Sequence, residues 1–139
     1  MELPHAIEGA KALLQKDGIT DSCAAVAGNF LEAVPAGGDA YLMKRVIHDW
    51  DDQRACQILK NCYNQMNRSG RLLVIERVIA DGDDPDRNKF IDLEMLMLNA
   101  GGRERTEADF KELYGNTGFD LKQVIRTASA YCIIEGVKT

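Results

Sequence analysis

The stretch Ala40-Tyr-Leu-Met-Lys-Arg-Val-Ile-His-Asp-Trp50 constrains the fold more than any other part of the chain. Tyr41 to Ile47 is mostly apolar and rich in strand formers, which predicts a buried strand. It runs directly into His48-Asp49-Trp50, a proton acceptor, a carboxylate and an indole at the strand's carboxyl end. In an open α/β sheet, ligands sit outside that end. Asp51 and Asp52 then open a helix, so the junction combines a sheet terminus with residues able to do chemistry.

The flanking segments supply the rest of an α/β pattern. Met1-Glu2-Leu3 reads as the end of a strand, and Pro4 suits the first turn of a helix. Ala6, Ile7, Ala10, Leu13 and Leu14 recur at helical spacing until Gly18. Cys23 to Ala27 is a short apolar strand, and Pro35 to Gly38 a loop. Asp51 to Met66 is the clearest helix, with Ala55, Ile58, Leu59, Cys62 and Met66 on its buried face and acidic residues at its start. Leu72 to Ile79 is a β-branched and apolar run containing Glu76 and Arg77, and Asp81 to Asn88 an acidic surface loop. Phe90 to Asn99 predicts a buried, Met-rich helix with Met95 to Met97 in the core, ended by Gly101-Gly102. Thr106 caps a helix through Tyr114, with Asp109 in the place of the usual Glu of a capping box. Leu121 to Thr127 and Tyr131 to Val137 form an antiparallel pair at the sheet edge. Strand–helix alternation followed by a strand pair means an α/β fold with a mostly parallel sheet, expected as one domain over residues 1–139.

Charge and cysteine usage narrow the function. The net charge of −5 argues against a general binder of nucleic acid or anionic membrane. No apolar run is long enough to span a bilayer, and the N-terminus lacks a signal-peptide layout. Cys23, Cys56, Cys62 and Cys132 contain no C-x-x-C pair, so reduced thiols and a cytoplasmic address are expected.

Three residues could converge on one crevice. His48 ends the central strand and Glu76 lies late in the next one. If those strands are neighbours, imidazole and carboxylate stand side by side. Glu104, after the Gly-Gly break, could reach the same place from a loop. A carboxylate bonded to one ring nitrogen fixes the tautomer and leaves the other nitrogen as acceptor, the arrangement of a general base. A histidine after a strand also serves as a satisfied core or surface residue, and Trp50 as ordinary packing. Glu76 is harder to explain structurally, because a buried carboxylate needs a partner. Asp49, Asp51 and Asp52 have a structural role at a helix N-terminus and no metal is expected.

Taken together, Glu2-Leu-Pro-His5, Gly28-Asn29-Phe30, Leu42-Met-Lys-Arg-Val-Ile-His-Asp-Trp50, Ile75-Glu76 and Gly101-Gly-Arg-Glu-Arg-Thr106 resemble the C-terminal part of the S-adenosylmethionine-dependent O-methyltransferases of the plant phenylpropanoid, acetylserotonin and bacterial polyketide type. The resemblance implies a Rossmann-like methyltransferase fold and methyl transfer to a hydroxyl of a small phenolic or polyketide-like acceptor. S-adenosylmethionine is then the methyl-donor cosubstrate. It implies His48 as general base, with Glu76 and Glu104 flanking and orienting it. On the cofactor side it implies Glu2 at the ribose, Asn29 and Phe30 at the adenine, Lys44 nearby and Trp50 packed beside the adenine. Asn29 stands where the family usually has Asp; it can still bond the amino group through its carbonyl but loses the charge.

The family's glycine-rich turn and N-terminal helical domain have no counterpart in this sequence, so a truncated gene product or excised domain is expected. That absence leaves two other readings open. One is a non-catalytic remnant or a module that needs a partner chain. The other keeps the fold and binds the cofactor without methyl transfer. The unfilled place beside Tyr41–Ile47 also predicts weak or no cofactor binding by the chain alone, and a homo-oligomer or edge-strand association.

Overall fold

A computed structural model describes residues 1–139. Four strands form a mixed sheet in the order β1-β2-β6-β5: β1 is Ala40–Lys44, β2 Arg71–Glu76, β5 Phe119–Arg126 and β6 Cys132–Lys138. β1 and β2 pair in parallel, whereas β6 runs antiparallel to both β2 and β5. Two short strands, β3 (Val78–Ile79) and β4 (Arg105–Thr106), pair in parallel as a separate ribbon. This is the α/β architecture expected, with the antiparallel pair ending at the β5 edge, but the main sheet is mixed rather than mostly parallel, since only β1 and β2 run parallel in it.

Helix α2 (Asp52–Gln65) crosses from β1 to β2. Asp51 caps it, its carboxylate accepting the Arg54 N–H at 2.8 Å. Ala55, Ile58, Leu59, Cys62 and Met66 are all buried, the face that the 3.6-residue period predicts. They meet Leu72 and Val74 of β2, Ile134 of β6, and Phe110, Leu113 and Tyr114 of α4 (Glu107–Gly115) in one core cluster. Helix α4 begins with a full capping box: the Asp109 N–H donates to the Thr106 hydroxyl and the Asp109 carboxylate accepts the Thr106 N–H.

Period-two alternation sets which β2 side chains face this core. Leu72, Val74 and Glu76 share the buried face, while Leu73 and Ile75 on the other face are half-buried. Glu76 is therefore carried inward by the register that buries its apolar neighbours.

Several segments differ from the sequence expectations. The central strand is shorter, ending at Lys44, because Arg45 adopts a left-handed conformation (φ 55°) and the chain turns through a 3-10 helix at Ile47–Asp49. It is also not buried: β1 is an edge strand, and Leu42 is 61% exposed. Leu72 to Ile79 is two strands, broken at Arg77, where β3 leaves the main sheet. Cys23 to Ala27 is not a strand, nor is Met1 to Leu3 the end of one; Ala27 and Glu2 form a single isolated parallel bridge.

Helix α1 (Ile7–Lys16) forms as expected. It closes with Gly18 at φ 68°, whose N–H donates to the Gln15 carbonyl while the Ile19 N–H donates to that of Leu14. Of its apolar positions only Ile7 is buried.

Helix α3 (Arg87–Leu98) starts earlier than expected, capped by Asp86, and buries no residue. Phe90, Leu93, Leu96, Met97 and Leu98 are each more than half exposed, so the expected buried Met-rich core helix is instead an open apolar surface. The four cysteines are free, and no helix is long and apolar enough to cross a membrane.

Candidate active site

The turn that follows β1 is held by its backbone. The left-handed Arg45 reverses the chain so that the N–H groups of Val46 and Ile47 both point at Glu76. They donate to Glu76 Oε1 at 2.8 and 3.0 Å. A buried carboxylate at the end of β2 thus closes the neighbouring strand's exit, which satisfies two donors that would otherwise be orphaned.

From that turn the His48 ring projects into a buried cluster. His48 Nδ1 lies 3.1 Å from Glu104 Oε1 and 3.6 Å from Glu76 Oε2. His48, Glu76 and Glu104 are 6%, 1% and 4% exposed. The other ring nitrogen, Nε2, lies 3.5 Å from Asp49 Oδ1, whose position is fixed by a 2.8 Å bond from the Asn99 amide. Glu104 is positioned by its own backbone, its N–H donating to Asp92 Oδ1 at 2.7 Å.

The electrostatics follow from this packing. The hydrogen bond to Glu104 raises the pKa of His48 above its ordinary value, against the opposing effect of burial, and the charges of Glu76, Glu104 and Asp49 act in the same direction. Burial raises that of Glu76, only partly offset by His48 and the two backbone donors. Glu76 Oε2 and Glu104 Oε2 are buried without a hydrogen-bond donor from the chain. With Nδ1–H donating to Glu104, Nε2 is the acceptor nitrogen. The donor atoms of the three residues lie within 4.8 Å of one another, a spacing that a divalent ion could also bridge.

Residues 102–105 hold the turn from the opposite side. The Arg103 N–H donates to the His48 carbonyl at 2.9 Å. Arg105, 1% exposed, donates through its two terminal nitrogens to the carbonyls of Ile47 and Trp50, each at 3.0 Å, and to Asp52 Oδ1. Gly102 permits the approach: a Cβ there would lie 2.9 Å from the His48 carbonyl oxygen and 2.7 Å from Asn99 Cβ. The sequence reading missed Arg105, Asp92 and Asn99. Their isolated positions carry no periodic signal, and only Arg105's place beside Glu104 pointed toward the site.

The residues expected on the cofactor side are less gathered. Glu2, Phe30 and Lys44 line one cavity of about 510 Å³ beside β1, with Tyr41, Met43 and Val46 among its apolar walls. That is the size of an ordinary small-molecule site. Asn29 borders a neighbouring cavity of about 240 Å³. Its carbonyl already accepts the Leu31 N–H at 3.0 Å and its amide donates to Glu32, so this side chain shapes the local turn. Trp50 lines neither cavity and packs edge-on against Phe30 at 6.0 Å.

Comparison with known proteins gives the family. Residues 1–129 match the family model described as an O-methyltransferase domain. The chain is 43% identical to the phenazine O-methyltransferase PhzM of Lysobacter antibioticus over 95% of its own length and 38% of the relative's. It superposes on the crystal structure of LaPhzM with a TM-score of 0.92 at 42% identity, covering 99% of this chain and 41% of that one. A second structure is the O-methyltransferase NcsB1 of neocarzinostatin biosynthesis, solved with S-adenosylmethionine and 2-hydroxy-5-methyl naphthoic acid. It gives a TM-score of 0.87 at 30% identity, over 99% of this chain and 40% of that one. The chain therefore spans about two fifths of the length of the relatives it matches. It belongs to the S-adenosylmethionine-dependent O-methyltransferase family.

Proposed function

We infer that these residues form the proton-accepting half of a small-molecule O-methyltransferase site, with His48 as the general base. The observation that carries this reading is the buried 3.1 Å contact between His48 Nδ1 and Glu104. On this reading the ring proton sits on the carboxylate side and Nε2 takes a proton from an acceptor hydroxyl. Glu104 and Glu76 favour the imidazolium that forms, so the acceptor oxygen gains nucleophilicity as its proton leaves. The acceptor class proposed is a phenolic or polyketide-like hydroxyl, in keeping with relatives named for phenazine and a hydroxy-naphthoic acid.

S-adenosylmethionine would supply the activated methyl group. The cavity beside β1 fits its nucleoside end in size and character, with apolar walls and the Glu2 carboxylate among its lining residues. Glu2 would hold the ribose hydroxyls, and Phe30 would supply an apolar face to the adenine, itself supported by Trp50. Asn29 would offer the remaining lone pair of its carbonyl, and Lys44 would border the same cavity. Transfer read in this way needs no metal, so EDTA should leave the rate unchanged.

A second reading is favoured by one observation, the open edge of β1 next to this cavity. In that reading the chain is a module whose cofactor side is completed by a neighbour. Titration calorimetry with S-adenosylhomocysteine separates the two. Micromolar affinity of the 139-residue chain supports a self-sufficient site, and weak or no binding supports the module. The base assignment is tested by methyl transfer to a panel of phenolic acceptors, read by mass spectrometry, with the completing neighbour supplied if it is needed. His48→Gln should lower turnover by about 10²- to 10⁴-fold with little change in cofactor affinity. Near-full turnover in that variant would overturn the assignment.

A further inference from the structure

A fully buried guanidinium lies behind the histidine turn, and the proton-transfer chemistry above gives it no task. Arg105 touches neither the His48 ring nor the cavity beside β1. Its bonds instead bracket the histidine in sequence, to the carbonyls of Ile47 and Trp50, and its charge is met by Asp52. The residue before it, Glu104, contacts the ring, and Arg103 donates its backbone N–H to the His48 carbonyl. Three consecutive residues therefore hold three parts of one turn.

We propose that Arg105 is a positioning residue for the His48 imidazole, locking the turn at residues 47–50 so that Nδ1 stays on Glu104 and Nε2 is presented to the acceptor. This deepens the reading of His48 as the base and rests on it. The physical case is one of constraint. A 3-10 turn is short and its hydrogen bonds are poorly aligned, so by itself it leaves a side chain at its centre loosely aimed. A planar guanidinium can bond several fixed acceptors at once, which a flexible ammonium cannot do with the same geometry. Because Glu104 and Arg105 are adjacent, the clamp that fixes the histidine's backbone also fixes the distance from its ring to the carboxylate. The bonds that Arg105 donates to Asp52 add a charge partner, without which a buried guanidinium would be expensive.

The test reads the imidazole directly. The chain has two histidines, His5 and His48, so nitrogen-15 NMR of histidine-labelled protein resolves both, and His48→Gln identifies the second. In the parent chain His48 should show a single tautomer protonated at Nδ1 and a titration midpoint above the ordinary value. Arg105→Met should mix the tautomers and lower the midpoint by about one pH unit, with His5 unmoved. Arg105→Lys, which keeps the charge but not the fork, should fall between the two. Should Arg105→Met not fold, Arg105→Lys and Asp52→Asn decide, each expected to move the His48 signals in the same direction by a smaller amount. Folded variants with an unchanged His48 tautomer and midpoint would overturn the proposal.

Methyl-transfer kinetics then separate it from the reading it rests on. Arg105→Met should lower kcat about ten- to a hundredfold with KM nearly unchanged. Arg105→Lys should recover part of that loss. If the Arg105 variants move the NMR signals while His48→Gln keeps full turnover, the clamp stands and the base assignment fails.

Discussion

The two sides of this molecule differ in how deeply the chain buries them. Around His48 the chain closes on itself: β2 supplies Glu76, residues 102–105 supply Glu104 and the Arg105 clamp, and all four side chains are buried. Beside β1 and along α3 the opposite holds. Leu42 and the apolar residues Phe90, Leu93, Leu96 and Met97 face outward, and the cavity holding Glu2, Phe30 and Lys44 opens next to an unpaired strand edge. The difference teaches that the residues proposed for proton transfer and those proposed for cofactor capture lie in separate surroundings. The first form a buried cluster, while the second border surface that water does not favour.

Predictions that break or sharpen this contrast can be ranked by size. After the loss of turnover expected for His48→Gln, the next largest effect is on stability. Glu76→Ala removes the acceptor of one buried and one half-buried N–H group and should cost about 3 kcal/mol by urea denaturation. Lys44→Ala, on the open side, should stay within about 0.5 kcal/mol. Equal effects at the two positions would erase the distinction.

Self-association is the third. The bare edge of β1 should pair between copies, so light scattering over a concentration series should show dimers or larger species. Leu42→Lys should raise the apparent dissociation constant about tenfold, because an exposed lysine on an edge strand opposes pairing. A parent chain that stays monomeric at all concentrations contradicts this.

Stability against pH is the fourth. The folded-state pKa of His48 is raised, so its contribution is fully present below the unfolded value of about 6.5 and is lost as pH rises through the folded value. The stability difference between the parent chain and His48→Gln should therefore shrink as pH is raised above neutrality. Glu76, also raised, pushes the same way at lower pH, since protonation favours the folded state there. A difference that grows with pH would mean that the ring is held neutral in the fold.

A further small effect concerns Arg45. Its φ of 55° is strained for a residue with a Cβ, so Arg45→Gly should change stability by less than about 1 kcal/mol, strain relief offsetting chain entropy. Arg45→Val should be clearly worse.

What could be read from the sequence was whatever is encoded locally. The face of α2 and the box at Thr106 and Asp109 use spacings of three and four residues within one element, and both formed as expected. The meeting of His48 with Glu76 was legible because consecutive strands joined by a helix usually lie side by side. Burial was not legible in the same way. An apolar segment such as Phe90–Leu98 states what it would gain from cover, not whether cover is present, and α3 is exposed. Nor could the strand's end at Lys44 be seen, since nothing in Lys-Arg-Val announces a left-handed residue. Arg105 was invisible as a clamp because its partners are backbone carbonyls, which leave no trace in residue type.

Gly102 carries one more consequence, for how the protein tolerates change. A methyl group there would meet the His48 carbonyl at 2.9 Å, closer than real Cβ atoms normally come to a neighbour. The loop bearing Glu104 would have to retreat, and with it the ring's partner. A position with no side chain at all should thus rank among the least permissive in a saturation-mutagenesis survey, below exposed charged positions such as Lys111 or Glu112. Any attempt to transplant the histidine turn onto another scaffold would have to carry this gap along with the residues that do the chemistry.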